Sequence, residues 1–241
     1  MMSLRKQRLS VRHLLDQGLP DDAMISYYAL HHDQARTQLF LHYGEDKRPD
    51  SFLVRAQTGA DLFRPLVTLT EMSEDVATCL FESGLIPSRQ YYAVLPYSLR
   101  DTALRTLEIE DEQVLCVYRL DSTRYQPLIN VLVTAHHSAD GLPRREIRSQ
   151  DRIQAMAGVN WISPRFAEIY VSVETAVRGR GWGRSVVSAL VGDLCAAGLE
   201  PLYIVSRDNE SSINLAEAVG FVDTGARKFA GYVSWSGVLD Q

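Results

Sequence analysis

The residues with the clearest chemical potential lie between Arg178 and Asn209. Arg178-Gly179-Arg180-Gly181-Trp182-Gly183-Arg184 interleaves glycines with arginines just before Val187, Leu190, Val191 and Leu194, an apolar stripe at helical spacing. A glycine-rich turn that opens a helix lets backbone N–H groups converge on an anion, and the helix dipole adds to the attraction. Glycine is needed because a Cβ would hold a phosphate away or forbid the turn. Three nucleotide-ligand readings compete. A P-loop requires Gly-Lys-Ser/Thr, whereas Gly183 is followed by Arg184-Ser185. A dinucleotide fingerprint requires a third glycine where Arg184 stands; Asp208 mimics its ribose-binding acid, but no second βαβ half follows. The third reading is Arg-x-x-Gly-x-Gly, Arg178 to Gly183, cradling a pyrophosphate.

Charge and composition narrow the classes around this run. The 241-residue chain has a net charge of -5 with 46% hydrophobic residues, enough for a real core and against a dedicated nucleic-acid binder. Between Pro143 and Arg184, however, eight arginines face four acids, a positive window suited to a small anion. Apolar runs fall short of a membrane helix, and the basic N-terminus lacks the apolar core and cleavage site of a signal peptide. Cys79, Cys116 and Cys195 are odd in number and widely spaced, so neither a disulfide framework nor a zinc site is expected. A cytoplasmic location is expected. His136-His137 lacks further ligands at metal spacing, and no metal is expected. Cys195, beside the apolar stripe, reads as a small core residue. Trp161, Asn160 and Ser163 read as packing residues.

The elements that position the glycine run are a strand before it and a helix, strand and helix after it. Phe166–Thr175 alternates Ile169, Val171 and Val173 with Glu168, Tyr170, Ser172 and Glu174, the period of a strand. Arg152–Trp161 reads as its neighbour. The helix after Gly183 ends at Gly198, Pro201–Ser206 is a short buried strand, and Asn209–Val219 is a second helix closed by Gly220. Strand resumes from Phe221. Upstream, a helix is expected over Met1–Leu19, then another over Ala23–His31 capped by Asp22. Strands are expected at Thr37–His42, Ser51–Ala56, Pro65–Thr70, Tyr91–Pro96, Gln113–Leu120 and Leu128–Ala135. Helices are expected at Ser73–Glu82, ended by Gly84, and near Leu99–Leu107. Asp121 to Pro127 is the best internal break.

Arg178 to Gly183, between strand and helix, resembles the acyl-CoA loop of GNAT N-acetyltransferases. Asn209, just after the next strand, stands where that family has a CoA-contacting asparagine. Gly220-Phe221 closes the last helix as the family's Gly-Phe does, and Phe166-Ala167-Glu168-Ile169 resembles the strand start that holds a basic glutamate in several members. The resemblance covers about Arg152 to Trp235.

The resemblance implies an α/β (α+β) fold with a mixed, mostly antiparallel central sheet flanked by helices. It implies acetyl-CoA as acyl donor, held by the loop residues Arg178, Gly179, Arg180, Gly181, Trp182, Gly183 and Arg184 and by Asn209 and Ser212. The pantetheine arm would pair with backbone freed near Val171 and Val173, where Phe166–Thr175 splays from Pro201–Ser206. Glu168 is the candidate base that takes the proton of an attacking amine. The family's tyrosine on the last helix is replaced by Ala216, so a thiol proton would come from Ser212, Tyr203, Tyr232 or water. That replacement also leaves a non-catalytic acyl-CoA-binding or regulatory module as an alternative. The expected layout is residues 128–241 as the GNAT domain and 1–127 as an N-terminal α/β region, a degenerate GNAT-like half as in glycine N-acyltransferase-like proteins. Expected partners are a small-molecule amine or a peptide amine and a second copy in a homodimer, with no nucleic acid and no membrane.

Overall fold

Period-two alternation and glycine punctuation produce most of the expected elements, in two units. The computed structural model describes residues 2–59, 61, 63–70 and 72–237. One unit is Met1–Leu115 with Arg227–Gln241, and the other is Cys116–Ala226.

In the first unit the N-terminal helix is shorter than its apolar spacing suggests. Helix α1 spans Leu4–Val11, and a 3-10 turn at Arg12–Leu14 ends it. Helix α2, Ala23–Ser26, continues into a wider helical turn, Tyr27–His31. Asp22 precedes it, but its carboxylate accepts from the Asp16 N–H at 2.9 Å instead of capping the helix. Strands β1 (Thr37–Tyr43), β2 (Pro49–Ala56) and β3 (Leu66–Leu69) are antiparallel neighbours. Helix α3 (Glu74–Gly84) carries the chain to β4 (Tyr91–Pro96), which lies parallel to β3. Gly84 does not end α3 by a left-handed turn; it is the last helical residue, and a Cβ there would sit 2.8 Å from Leu53. Helix α4 (Arg100–Thr106) and strand β5 (Glu108–Leu120) follow, β5 beginning earlier than expected. A core of Leu53, Leu69, Leu80, Phe81, Tyr91 and Phe229 joins α3 and α4 to the sheet.

In the second unit the expected strand Leu128–Ala135 is mostly absent. Ile129 and Val131 are 91% and 92% exposed, and the strand β6 runs Val133–His137. Strand β7 (Pro143–Ser149) was not expected, because Arg144-Arg145-Glu146 lacks the apolar alternation of a strand. It pairs with both β6 and β8 (Arg152–Ile162). Strand β9 (Phe166–Val173) is antiparallel to β8, helix α5 (Trp182–Ala196) follows, and β10 (Glu200–Ser206) lies parallel to β9. Helix α6 (Glu210–Val219) and strand β11 (Phe221–Ser234) complete the order. Gly198 and Gly220 adopt φ +77° and +114°, the left-handed positions that end α5 and α6. The sheet of this unit runs β11-β5-β10-β9-β8-β7-β6, mixed and mostly antiparallel. Both β5 and β11 are divided between units, at Leu115/Cys116 and Ala226/Arg227. The expected break at Asp121–Pro127 is built into the second unit: the Tyr125 hydroxyl donates to the Ser188 carbonyl at 2.9 Å.

Helix α5 covers β8 and β9 through Val187, Leu190, Val191 and Leu194, packed on Ala155, Ala157, Val159 and Ile169. Small alanines on the strand let the helix approach, and burying each leucine stabilises by about 2 kcal/mol. This packing fixes the start of α5 against the end of β9.

Candidate active site

The β9–β10 ladder is short. It pairs Glu200–Tyr203 with Phe166–Ile169 and stops, although β9 continues to Val173 and β10 to Ser206. On its other side β9 stays paired with β8 as far as Val173. The strands therefore open as a V whose apex is Ile169 and Tyr203, leaving the β10-facing edge of Tyr170–Val173 available. A cavity of about 450 Å³ occupies the opening.

Val171 and Val173 line one wall of this cavity. At its mouth, Arg178, Gly179, Gly181, Trp182, Gly183 and Arg184 form the lip. Gly179 and Gly181 have φ +79° and +74°, and nothing lies within 4 Å of the Cβ each lacks, so the loop presents bare backbone to open space. Gly181 is the N-cap of α5, whose first turn contains no acid. Gly183 has a packing role instead: its missing Cβ would meet Leu215 at 2.8 Å and Val173 at 3.1 Å. Arg180 is not among the lining residues; its guanidinium stacks 5.5 Å from the Trp182 ring centroid, turning Trp182 into a platform under it. Asn209 and Ser212 line the far wall. The Asn209 side chain also caps α6, accepting from the Ser212 N–H at 3.2 Å and the Ser211 hydroxyl at 3.0 Å.

No carboxylate lines the cavity among the described residues. Free amides at a helix start and nearby arginines fit a pyrophosphate, and the strand edge at Tyr170–Val173 fits an extended amide-bearing arm. The positive window is only partly spent here. Arg145 forms a bidentate pair with Asp193, Arg165 pairs with Glu200, and Arg144 and Arg148 flank the buried Glu146 at 3.5 Å and 2.9 Å. Arg178, Arg180 and Arg184 remain at the loop.

Glu168 sits one residue before the apex, opposite Trp161 on β8. A bulge at Asn160 shifts the register there, and Asn160 Nδ2 donates to Glu168 Oε1 at 3.0 Å. Burial raises the carboxyl pKa, while hydrogen bonds from Asn160 and Trp161 lower it; burial wins, and the value is pushed up to about 6. Asn160 and Trp161, expected as packing residues, are thus the groups that hold Glu168. The bulge that aims Asn160 leaves no signature in residue types.

At position 216 the buried Ala216 belongs to the core of this unit. Nearby, Tyr203 projects from the apex and its hydroxyl lies 2.7 Å from Ser212 Oγ. Burial raises the Tyr203 pKa and keeps the phenol protonated. Ser212 Oγ therefore contacts a phenol. Cys195 is exposed, which corrects its expected place in the core. His136 lies 3.9 Å from Glu146, and no group able to hold a metal occurs among the described residues.

Residues 147–230 match the family of FR47-like proteins. No curated protein sequence matches the chain. Among solved structures, a GCN5-related N-acetyltransferase-like protein from Streptococcus suis is 14% identical, covers 95% of this chain and 99% of its own, and has a TM-score of 0.61. A GCN5-related N-acetyltransferase from Sphaerobacter thermophilus is 11% identical, covers 95% and 92%, and scores 0.62. The fold is similar to that of GNAT N-acetyltransferases. A tandem GNAT protein from the clavulanic acid biosynthesis pathway is similar as well, 11% identical over 85% of each chain, with a TM-score of 0.56. At these identities the GNAT likeness is one of fold, and the chemistry rests on the residues of the β9–β10 opening. Among the described residues no helix is long and apolar enough to cross a membrane.

Proposed function

We propose that the second unit is an acyl-CoA-dependent N-acyltransferase that moves an acetyl group from acetyl-CoA to a primary amine. The observation that carries this reading is the V between β9 and β10, with a bare glycine lip at its mouth and a pKa-raised carboxylate one residue before its apex. Acyl-CoA supplies the activated thioester. The loop amides of residues 181–184, with Arg178 and Arg184, hold the pyrophosphate, and Asn209 and the edge of Val171 and Val173 align the pantetheine arm. Glu168, held by Asn160, accepts the proton that the amine sheds as nitrogen bonds to the acyl carbon and the carbon–sulfur bond breaks. Its value of about 6 leaves it ionised at neutral pH yet basic enough to act. The phenol of Tyr203 and the hydroxyl of Ser212 supply hydrogen-bond donors for the departing sulfur in place of the tyrosine that Ala216 replaces.

The first unit has three antiparallel strands, a helix, a parallel strand, a helix and a strand, the second unit's order with one antiparallel strand fewer, which supports reading it as a degenerate GNAT-like half.

Release of free thiol from acetyl-CoA, assayed across polyamines, amino acids and lysine peptides, tests the reading. Turnover with at least one amine, lost in Glu168→Gln with CoA binding retained, is expected. Binding without turnover for every amine would instead favour an acyl-CoA-binding module, which the buried Ala216 alone would explain.

A further inference from the structure

Helix α1 gathers positive charge on one face. Arg5, Arg8, Leu9 and Arg12 recur at i, i+3, i+4 and i+7 spacing, and residues 1–15 hold four Lys or Arg side chains and no acid. This face lines a cavity of about 290 Å³ whose opposite wall includes His31 and Gln17. Among the described residues, no carboxylate lines it. Arg8 is the fixed floor: Nε donates to the Ala29 carbonyl at 2.9 Å and Nη2 to the His32 carbonyl at 2.5 Å. Burial lowers its pKa, and Asp33 on the neighbouring turn only partly offsets that. Arg5 and Arg12 form no ion pair among the described residues and are exposed. Across the cavity, His31 Nε2 shares a 3.1 Å hydrogen bond with Gln17 Oε1. The charged groups facing its ring are Arg8 and Arg12; together with burial they lower its pKa, so the imidazole is short of a counter-charge.

We infer that this cleft of the first unit binds a small dianionic oxyanion, a phosphate group, held by the guanidiniums of Arg5 and Arg12 over Arg8, with His31 as a further donor. Three arginines lining one cleft match a phosphate dianion better than a single carboxylate. The anion supplies the charge that His31 lacks, so binding favours the imidazolium. The site is independent of the acyl-CoA reading of the second unit.

The test is a titration of the full chain with inorganic phosphate in the presence of CoA, which occupies the glycine loop if that reading holds. His31 is followed by NMR and the heat by calorimetry. The His31 pKa should rise by about one unit on binding, because a nearby anion favours the imidazolium. Affinity for the dianion, after allowance for the phosphate's own ionisation, should therefore increase as pH falls toward that value. The exposed-face double variant R5Q/R12Q should lose at least about tenfold in phosphate affinity, with its circular dichroism unchanged. H31Q should still bind, with only the pH dependence that the phosphate's own ionisation imposes. Acetate at the same ionic strength should leave His31 unmoved. Absence of a His31 shift with phosphate, an equal shift with acetate, or an R5Q/R12Q affinity equal to wild type would each overturn the assignment, whether or not CoA binds.

Discussion

The two units open a parallel strand pair in the same way and place different charge at the start of the helix that follows. In the first, β3 and β4 pair only at Leu66–Tyr92 and Val67–Ala93 before separating. In the second, β9 and β10 pair as far as Ile169–Tyr203. The helix that follows decides what each opening can hold. Helix α3 begins with Glu74 and Asp75, whose carboxylates already occupy the positive end of its dipole, and no glycine lies between Thr70 and Ser73. Helix α5 begins at a left-handed glycine with no acid in its first turn and arginines on either side. An opened sheet is therefore not by itself an acyl-CoA site. Among the described residues, left-handed glycines beside an acid-free helix start, the features that suit a pyrophosphate, belong to the second unit.

Substitutions that erase this contrast should have the largest effects. Gly181→Glu places a carboxylate and a strained left-handed residue at the start of α5, imitating α3. It should lower CoA affinity by about hundredfold in calorimetry, with the fold checked by circular dichroism. Glu168→Gln should reduce kcat by about a hundredfold or more with CoA affinity unchanged. In the wild type, kcat should fall as pH drops below about 6, because the base works only when ionised; a flat profile in that range would remove Glu168 from the mechanism. Tyr203→Phe should reduce kcat by about tenfold with KM for acyl-CoA nearly unchanged, since it removes one donor behind Ser212. Asn209→Ala should lower thermal stability by about 1 kcal/mol through loss of the α6 cap, and weaken CoA binding as well.

Much of the site could be read from residue types because it is built from local signals. Alternating glycines before an apolar helical stripe mark the lip, Asn209 is both a helix cap and a wall residue, and Gly220 ends α6 as its position suggests. Glu168 stood on an alternating strand. What escaped the sequence depends on register and on charges meeting across strands. Strand β7 looks polar because its Arg144, Glu146 and Arg148 neutralise one another on the sheet, so the usual apolar alternation is missing. The apolar run Leu128–Leu132 imitates a strand but lies exposed. Asn160 becomes the partner of Glu168 only through a bulge, and the Tyr203–Ser212 contact joins a strand to a helix that no spacing rule connects. The arginine excess was legible as a number, but half of its members serve ion pairs away from the loop.

One opening of the two, and only one, is expected to accept acyl-CoA. Calorimetric titration of the full chain with CoA measures this as a stoichiometry. One CoA per chain is expected, with binding abolished by Gly181→Glu and left unchanged by the double substitution E74Q/D75N at the start of α3. No binding, two equivalents per chain, or loss of binding on changing α3 instead of α5 would contradict it.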